Sequence, residues 1–456
     1  VASHHAGLLP GWKVLVEKLF QKGLIKVVFA TETLAAGINM PARSTVISAI
    51  SKRTDNGHRM LTANEFLQMS GRAGRRGMDK VGYVTVIGTQ FQSPEEVAEL
   101  VLSDANPLES RFSPKYSMVL NLLQKFSMDE AKELILKSFG YYSSSDRLKP
   151  LYTQLEKTDK TIEKLNEFVC PDKLTNKDLL EYNKTRETYV VHRKLSKTLI
   201  KQAKQRGEKD APEVTEFLDK TKSLLAKMKS YHCDICRTYK KHMKDIVVLE
   251  RYEKKAEQLT KNIANEKDIY WNKFKNHRAV LTKLGYLEND FPTEKGMLCS
   301  TIRAENELYI AEMLLSGILD DLTPAQLSAV VCSVITEDLR GDVFPSQPLS
   351  HPTRKALNQL KNVRKKIAVV QRDYDIDTEM YINSYYSPLI EMWVEGLSWE
   401  ELTGMTQSSE GDVVRVFKRT IDILRQIANA QYINPQLNET AKDAIKAILR
   451  EPIDVD

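Results

Sequence analysis

The chain has 456 residues, of which 42% are apolar and 28% are charged, and its formal net charge is +6 at pH 7. A chain of this length holds roughly three domains and can bury a sizeable core. Five cysteines are too few for a disulfide framework and favour a reducing compartment. No apolar run reaches the ~18–20 residues of a membrane span, and no secretory signal peptide is visible, so we expect a soluble protein without membrane partners.

The charge is concentrated near the beginning of the chain. Residues 1–92 carry a balance of +7, which leaves −1 for the remainder. A compact basic lobe is what a phosphate-binding surface needs, although a solvated surface with excess lysine would give the same count. The chain starts at Val1 rather than at a methionine, and we expect it to begin inside a domain, as the back part of a longer protein.

Residues 1–92 alternate helix and strand patterns, which predicts a doubly wound α/β lobe. The expected elements are a helix from Pro10 to about Phe20, a buried strand at Ile25–Ala30, a strand at Ser44–Ile50, a Thr-capped helix at Thr62–Met69 and a strand at Val81–Ile87. Ligand loops of such a lobe lie at the carboxyl ends of its strands. The segment Thr31–Met40 occupies that position.

The remainder of the chain is predicted to be mostly helical. Residues 93–145 suit a small helical or winged-helix domain, opened by a helix with Pro94 at its first position. Residues 146–245 are rich in Lys and Glu and predict a helical hairpin that forms a short stalk. Residues 246–456 predict a helical bundle, with a turn or small hairpin between Leu284 and Gly296 and a loop at Arg340–Pro352.

The most informative stretch is Gln68–Gly77, where three glycines alternate with three arginines. Glycine lets the backbone turn sharply and approach an anion closely. Arginine brings a permanently charged, forked donor to a phosphoryl group. Such a loop supplies an arginine finger to a nucleotide that is held mainly by another lobe.

Three blocks resemble the second RecA-like lobe of superfamily-two helicases, and the likeness is to DExH-box RNA helicases of the superkiller type. His4–Pro10 resembles the family's pre-helix block, Phe29–Pro41 resembles motif V, and Gln68–Gly77 resembles motif VI. Further segments resemble the helical domain that closes these helicases: Gly285–Leu287, Lys295–Met297, Ile302–Leu308 and Leu322–Leu327. The ending, with Glu395–Trp399 and Glu410–Ala430, is most similar to the cyanobacterial and chloroplast branch.

The resemblance implies an α/β RecA-like lobe of the P-loop NTPase type, followed by a winged helix, a helical hairpin and a helical bundle. Arg75, Arg72 and Gln68 would be catalytic, with Arg75 as the finger and Gln68 orienting water or phosphate. The implied ATP-binding residues are Gly37, Asn39, Gly71, Arg72 and Arg75. The implied nucleic-acid contacts are Thr31, Thr33, His5, Gly7, Arg415 and Arg419. Thr31 and Thr33 could instead cap a helix, and one of His4 and His5 could instead pack under the sheet.

Arg415, Arg419, Asp422 and Gln426 follow helical spacing and share one stripe of a helix at about 411–430. Periodicity alone favours a plain amphipathic helix with a solvated charged face, and the resemblance reverses that preference. In the family this is the ratchet helix that lines the RNA channel, where an arginine stripe meets a single strand.

The sequence contains no GxxxxGK[ST] phosphate loop and no DExH or DExD acidic box. We therefore expect ATP and Mg²⁺ to be held mainly by a missing first lobe, and the chain to be inactive alone. Cys233 and Cys236, with His242 beyond, are weak zinc candidates, since a structural site needs four ligands. We expect no metal site, and Cys170, Cys299 and Cys332 are expected in the core.

The expected function is that of the C-terminal part of an ATP-dependent RNA helicase that translocates on single-stranded or structured RNA. The expected setting is the cyanobacterial cytoplasm or the chloroplast, as a monomer with a possible protein partner at the hairpin. Two alternatives remain open. One is a DNA repair helicase of the same superfamily, and the other is a non-catalytic nucleic-acid-binding or scaffold module.

Overall fold

A computed structural model describes residues 1–32, 40–54, 57–88, 92–166, 175–206, 212–231, 237–337 and 347–454. The chain divides into two compact units. The first consists of Val1–Ile135 and Trp271–Asp456, and the second is Leu136–Tyr270. No helix in the described ranges has both the length and the apolar character that crossing a membrane requires.

The first unit begins with a mixed α/β segment. Its elements are β1 (Ala2–His4), α1 (Pro10–Gln21), β2 (Val28–Ala30), β3 (Ser44–Ile47), β4 (Ser51–Thr54), β5 (Gly57–Met60), α2 (Ala63–Ser70), β6 (Tyr83–Val86), α3 (Pro94–Leu102), α4 (Tyr116–Leu123) and α5 (Met128–Leu136). Strand β1 pairs with β2 and β3 pairs with β6, both in parallel. The antiparallel hairpin of β4 and β5 was not anticipated from the sequence.

Helix α2 begins as its sequence predicts. The Thr62 side chain accepts a hydrogen bond from the Glu65 backbone N–H, and the Glu65 carboxylate accepts one from the Thr62 backbone N–H. This capping box satisfies two donors that the first turn would otherwise leave without partners. Helix α3 starts with the same device at Ser93 and Glu96, followed by Pro94 at its first position, as expected.

The expectation of a fully buried strand at Ile25–Ala30 is wrong. The strand is only Val28–Ala30, and the side chains of Val27 and Phe29 are 47% and 69% exposed. Within the described ranges β2 pairs with β1 alone. A strand with one described neighbour leaves its apolar side chains open to solvent.

The second unit contains, in its described residues, two pairs of packed helices. They are α6 (Phe139–Asn166), α7 (Asn176–Arg206), α8 (Pro212–Ser230) and α9 (Tyr239–Lys267). Helix α6 packs along α9, and α7 packs along α8. A core of Leu179, Tyr182, Met228 and Ile246 joins α7, α8 and α9. The predicted hairpin at 146–245 falls inside this unit.

The first unit resumes with helices and one short hairpin. These elements are α10 (Ile269–Lys283), β7 (Leu287–Glu288), β8 (Phe291–Pro292), α11 (Glu294–Thr301), α12 (Glu307–Leu315), α13 (Pro324–Ile335), α14 (His351–Asp373), α15 (Ser387–Val394), α16 (Trp399–Gly404), α17 (Glu410–Ala428) and α18 (Pro435–Ile448). The hairpin expected between Leu284 and Gly296 is confirmed. Its turn residues Asn289 and Asp290 adopt φ angles of 50° and 69°, which Asn and Asp tolerate.

The core of this part is centred on α13, which packs against α14, α15, α17 and α18. Ten of its twelve residues are buried, because it contacts neighbours on every side. The fully buried Trp393 of α15 donates its indole N–H to the carbonyl of Ile448 at 3.0 Å, which anchors α15 to the end of α18. The predicted burial of Cys299 and Cys332 is confirmed.

Candidate nucleotide and nucleic-acid site

The arginine-glycine loop begins where α2 ends and folds back tightly. Gly74 and Gly77 have φ angles of 91° and 80°, in the left-handed region that favours glycine. A Cβ on Gly82 would lie 2.6 Å from the carbonyl carbon and oxygen of Ala73, so the backbones of the loop and of the following strand cross in direct contact. Only glycine permits this crossing.

The loop is joined to the segment that follows motif V. The Ala42 backbone N–H donates to the Arg72 carbonyl at 2.9 Å, and the Gly74 N–H donates to the Ala42 carbonyl at 2.7 Å. Ala42 and Ala73 form an isolated parallel bridge. Because Pro41 ends the block resembling motif V, these bonds bring two predicted nucleotide motifs together.

Arg75 is held by a carboxylate that the sequence analysis did not single out. Its Nε lies 2.8 Å from Asp79 Oδ2 and its Nη2 lies 2.9 Å from Asp79 Oδ1, while its backbone N–H also donates to Asp79 Oδ2 at 3.0 Å. These bonds lower the pKa of Asp79, because they favour its charged form. The i, i+4 spacing of an arginine and an aspartate was the available sequence signal.

The other residues of this loop differ in exposure. Gln68 and Gly71 are exposed, Arg72 is partly buried, and Arg76 is exposed. The Arg75 side chain is 40% exposed even while paired with Asp79. The loop therefore presents guanidinium and amide groups to solvent on a backbone that glycines allow to bend.

The described part of the motif V block begins beside the pre-helix block. Thr31 is exposed, and its backbone N–H donates to the His4 carbonyl at 3.3 Å. Thr33, Gly37 and Asn39, which were predicted to bind nucleic acid or ATP, lie outside the described residues.

Glu32, near the start of this block, is connected to α2 by a network of ion pairs. Lys52 Nζ lies 2.8 Å from a Glu32 oxygen and 2.5 Å from a Glu65 oxygen, and Arg59 also binds Glu65 at 2.6 Å. The hydrogen bonds from Arg59 and Lys52 lower the pKa of Glu65 despite its partial burial. The hairpin of β4 and β5 thus links two motif-bearing segments.

The two histidines of the pre-helix block have different environments. His4 is 3% exposed, and its Nε2 lies 3.0 Å from Glu17 Oε1 of α1, so His4 is the histidine that packs inside. His5 is partly exposed. This arrangement leaves His5 as the candidate contact and makes His4 a structural residue.

The pre-helix block packs directly against the start of α17. The Gly411 backbone N–H donates to the Gly7 carbonyl at 3.0 Å. A Cβ on Gly411 would lie 2.6 Å from the Leu8 oxygen and closer still to the Ala6 oxygen, and one on Gly7 would lie 2.8 Å from Ser409 Oγ. We call this contact between two glycine backbones the Gly7–Gly411 joint. It was not predicted, and the Gly at the second position of a helix was its only sequence signal.

Helix α17 has the two faces that its periodicity predicts. Its apolar side is buried, with Val413, Val416, Phe417, Ile421, Leu424 and Ile427 all in the core. Arg415, Arg419 and Asp422 are exposed, and Gln426 is partly buried. The stripe is therefore present, although Arg415 lies 3.0 Å from Asp412 and Arg419 lies 3.2 Å from Glu337.

A cavity of about 530 Å³ opens beside this stripe. Its walls combine charged groups with apolar side chains, and they include Lys115, Arg303, Glu305, Arg419, Asp422 and Ile423. Gln426 fixes one wall by bonding the backbone of Arg303, accepting from its N–H at 2.7 Å and donating to its carbonyl at 3.3 Å. The volume and the mixed lining lie within the range of small-ligand pockets.

The residues present fit one half of a nucleotide site. Guanidinium groups and a glycine-rich backbone suit phosphate oxygens. In the described ranges there is no group of three or more His, Cys, Asp and Glu that could hold a metal ion. Cys233 and Cys236 lie outside those ranges, and His242 is buried in α9, where desolvation lowers its pKa.

A RecA-like helicase lobe combined with mostly helical domains is the class that these features define. Residues 1–77 match the helicase conserved C-terminal domain, and residues 289–456 match the DSHCT (NUC185) domain. Relatives then cover almost the whole chain.

The DExH-box ATP-dependent RNA helicase DExH15, chloroplastic, of Arabidopsis thaliana is 26% identical, over 99% of this chain and 57% of its own length. The probable helicase HelY of Mycobacterium tuberculosis is 26% identical, over 100% of this chain and 62% of its own length. The ATP-dependent RNA helicase mtr4 of Schizosaccharomyces pombe is 24% identical, over 99% of this chain and 53% of its own length. The chain spans little more than half the length of these relatives, and its similarity to these helicases extends over nearly all of its own residues.

Proposed function

We propose that this chain is the part of an ATP-dependent RNA helicase that completes the nucleotide site and binds single-stranded RNA. One observation carries the proposal: the Gly7–Gly411 joint connects the motif-bearing segments to the arginine stripe. The loop at 68–77 is bonded to Ala42, Thr31 is bonded to His4, and the block after His4 is bonded to α17. These contacts lie on both sides of the block resembling motif V, and the proposal is that a change at the nucleotide loop is coupled through that block to the strand-binding helix.

Each predicted residue has a role in this proposal. Arg75 and Arg72 stabilise charge on the γ-phosphate in the transition state, and Gln68 orients water or phosphate. Gly37, Asn39 and Gly71 line the nucleotide pocket. Thr31, Thr33, His5 and Gly7 contact the backbone of the single strand, as do Arg415 and Arg419.

ATP and Mg²⁺ are held mainly by a lobe that carries the phosphate loop and the acidic box, which this sequence does not contain. The chain alone is accordingly expected not to hydrolyse ATP. Asp79 accepts from Nε and Nη2 of Arg75, so the remaining N–H groups of the guanidinium are available to a γ-phosphate while Asp79 holds the side chain in position.

RNA is the proposed substrate because the relatives from Arabidopsis and fission yeast are named as RNA helicases. Comparing stimulation of ATPase activity by matched RNA and DNA single strands tests RNA against the DNA repair alternative. The cavity beside Arg419 offers apolar walls to a base and charged groups to its sugar and phosphate.

The domain division is proposed as 1–92 for the RecA-like lobe, 93–145 for the winged helix, 146–245 for the hairpin and 246–456 for the bundle. The chain is proposed to act as a monomer, with a protein partner at the hairpin. A chloroplast location is proposed from the chloroplastic relative, with the bacterial cytoplasm as the alternative.

The test is Arg75→Ala in the complete enzyme, with Arg76→Ala as the matched control on the next residue. We expect Arg75→Ala to reduce RNA-stimulated ATP turnover by about 10³-fold or more while RNA affinity changes less than about threefold. Arg76→Ala should leave both quantities near the wild-type values, because Arg76 is exposed and is assigned no phosphate. Unchanged turnover in Arg75→Ala would overturn the assignment of Arg75 as the finger.

A further inference from the structure

Helix α14 carries a strongly basic face that the proposed function does not use. Between His351 and Arg372 the helix contains seven Lys or Arg residues and no Asp or Glu. Six of the seven cations are exposed, and five of these, Arg354, Lys355, Lys361, Lys365 and Lys366, lie within residues 354–366, while Ala356, Leu357, Leu360 and Ile367 are buried on the opposite side. We call these five cations, with Asn358, Gln359 and Asn362 between them, the α14 basic face.

In the part of the chain that the structure describes, the cations of the basic face lack the carboxylate partners that several exposed lysines on other helices have. Examples of paired lysines are Lys261 with Glu257, Lys442 with Glu439 and Lys446 with Asp443. Within the described ranges the five cations of the α14 basic face form no ion pair at 4.0 Å or less. Lys361 instead donates to the side-chain oxygen of Asn358 at 3.0 Å.

This arrangement has an electrostatic cost in the free protein. Lys361 and Lys365 are four residues apart, and like charges at that spacing destabilise a helix by a few tenths of a kcal/mol. The cations extend from Arg354 to Lys366, about three turns of helix, which span ~18 Å at 1.5 Å per residue. A polyanion lying along the helix would remove this repulsion and release its own counterions.

The composition of the face favours a nucleic-acid backbone over an acidic protein. Side-chain amides of Asn358, Gln359 and Asn362 are interleaved with the cations, and together they line a shallow cavity of about 350 Å³ with His351, Arg354 and Lys355. Amides and lysines are the usual donors to phosphate and sugar oxygens. Protein interfaces instead depend on buried aromatic and apolar anchors, and the residues of this face are all charged or amide-bearing.

We propose that the α14 basic face is a second nucleic-acid contact, which binds the phosphate backbone of RNA without reading its sequence. The inference rests on the proposed function for the class of ligand, but it concerns a different helix and different residues. Its role is to hold a segment of the strand, or of a flanking structure, outside the stripe on α17.

The test measures the binding of this 456-residue chain to a labelled oligouridylate of about 20 nucleotides, which exceeds the site size of ~4–16 nucleotides of a single-strand module. The variant is Lys361→Gln/Lys365→Gln/Lys366→Gln, since Gln is a good helix former and preserves the exposed helix. The matched control is Lys261→Gln/Lys442→Gln/Lys446→Gln, which removes the same charge from lysines that already have carboxylate partners.

We expect the α14 variant to reduce the slope of log Kd against log salt by about 2, at ~0.7 for each phosphate that the protein no longer neutralises, and to weaken binding about tenfold at low salt. The control should change affinity less than about twofold. Equal effects of the two triple variants would show that RNA affinity depends only on the net charge of the chain, and would overturn the proposal. Displacement of the oligouridylate by polyglutamate as effectively as by unlabelled RNA would also overturn it, in favour of an acidic protein partner.

A third variant, Arg415→Ala/Arg419→Ala, separates this inference from the proposed function. If it abolishes binding while the α14 variant leaves the salt slope unchanged, the stripe on α17 is supported and the α14 contact is refuted. If the salt slope falls in the α14 variant but Arg415→Ala/Arg419→Ala binds normally, the α14 contact is supported and the stripe is refuted. If the wild-type chain binds no RNA, both fail.

Discussion

The Gly7–Gly411 joint gives the sharpest prediction, because a single methyl group tests it. In Gly411→Ala the new Cβ would lie 2.6 Å from the Leu8 oxygen, 2.7 Å from the Gly7 carbonyl carbon and closer still to the Ala6 oxygen. All three are backbone atoms, which cannot rotate away as a side chain would. The pre-helix block must therefore move away from α17, and the hydrogen bond from Gly411 to Gly7 must lengthen.

The expected size follows from two opposing effects. Overpacking a close contact costs about 1–3 kcal/mol. Alanine in a helix is more stable than glycine by about 0.5–1 kcal/mol. We therefore expect Gly411→Ala to lower the free energy of unfolding of the first unit by about 0.5–2 kcal/mol. Gly404→Ala is the matched control, since Gly404 ends α16 and nothing lies within 4 Å of its added Cβ.

Urea unfolding followed by tryptophan fluorescence measures this difference. All four tryptophans, Trp12, Trp271, Trp393 and Trp399, belong to the first unit, so the signal reports that unit. The midpoint should fall in Gly411→Ala and stay constant or rise in Gly404→Ala. Equal shifts in the two variants would refute the reasoning. In the complete enzyme, Gly411→Ala should also increase the ATP consumed per base pair unwound, because the joint links the nucleotide loop to α17.

Three further predictions concern the same unit. Asp79→Asn replaces the carboxylate that holds Arg75 with a neutral amide, and in the complete enzyme we expect RNA-stimulated ATP turnover to change while RNA affinity does not; unaltered turnover would argue against Asp79 as a positioning residue. Gly82→Ala should disorder the arginine-glycine loop, because its Cβ would lie 2.6 Å from Ala73 backbone atoms, and proteolysis at the loop should accelerate relative to Gly88→Ala, which has open space. Glu307 is buried and its pKa is raised by desolvation, so it binds a proton more readily folded than unfolded. The free energy of unfolding should therefore fall as the pH rises from 4.5, the ordinary pKa of a glutamate, through the raised pKa of Glu307. Glu307→Gln should flatten that part of the plot of urea midpoint against pH. An unchanged plot would exclude Glu307 as the source of the pH dependence.

Local rules predicted the local elements well. The capping box at Thr62, the Pro94 start of α3, the turn before β8 and the two faces of α17 all depend on residues within one or two turns of each other. Such short-range chemistry is encoded in the sequence itself. The same rules failed for Ile25–Ala30, because burial of a strand depends on its neighbours and not on its own apolar residues.

The candidate site divides in the same way. Sequence alone identified Arg72, Arg75 and the α17 stripe, since the glycine-arginine run and the helical spacing are local patterns, and it determined that no phosphate loop is present. Only the tertiary structure revealed that Asp79 holds Arg75, that Ala42 joins the two nucleotide motifs, and that Gly7 packs on Gly411, about four hundred residues away in the chain. Contacts at such separations depend on how the backbone folds back on itself. A glycine in a sequence shows that a close approach is permitted, and only the fold determines which segment makes it.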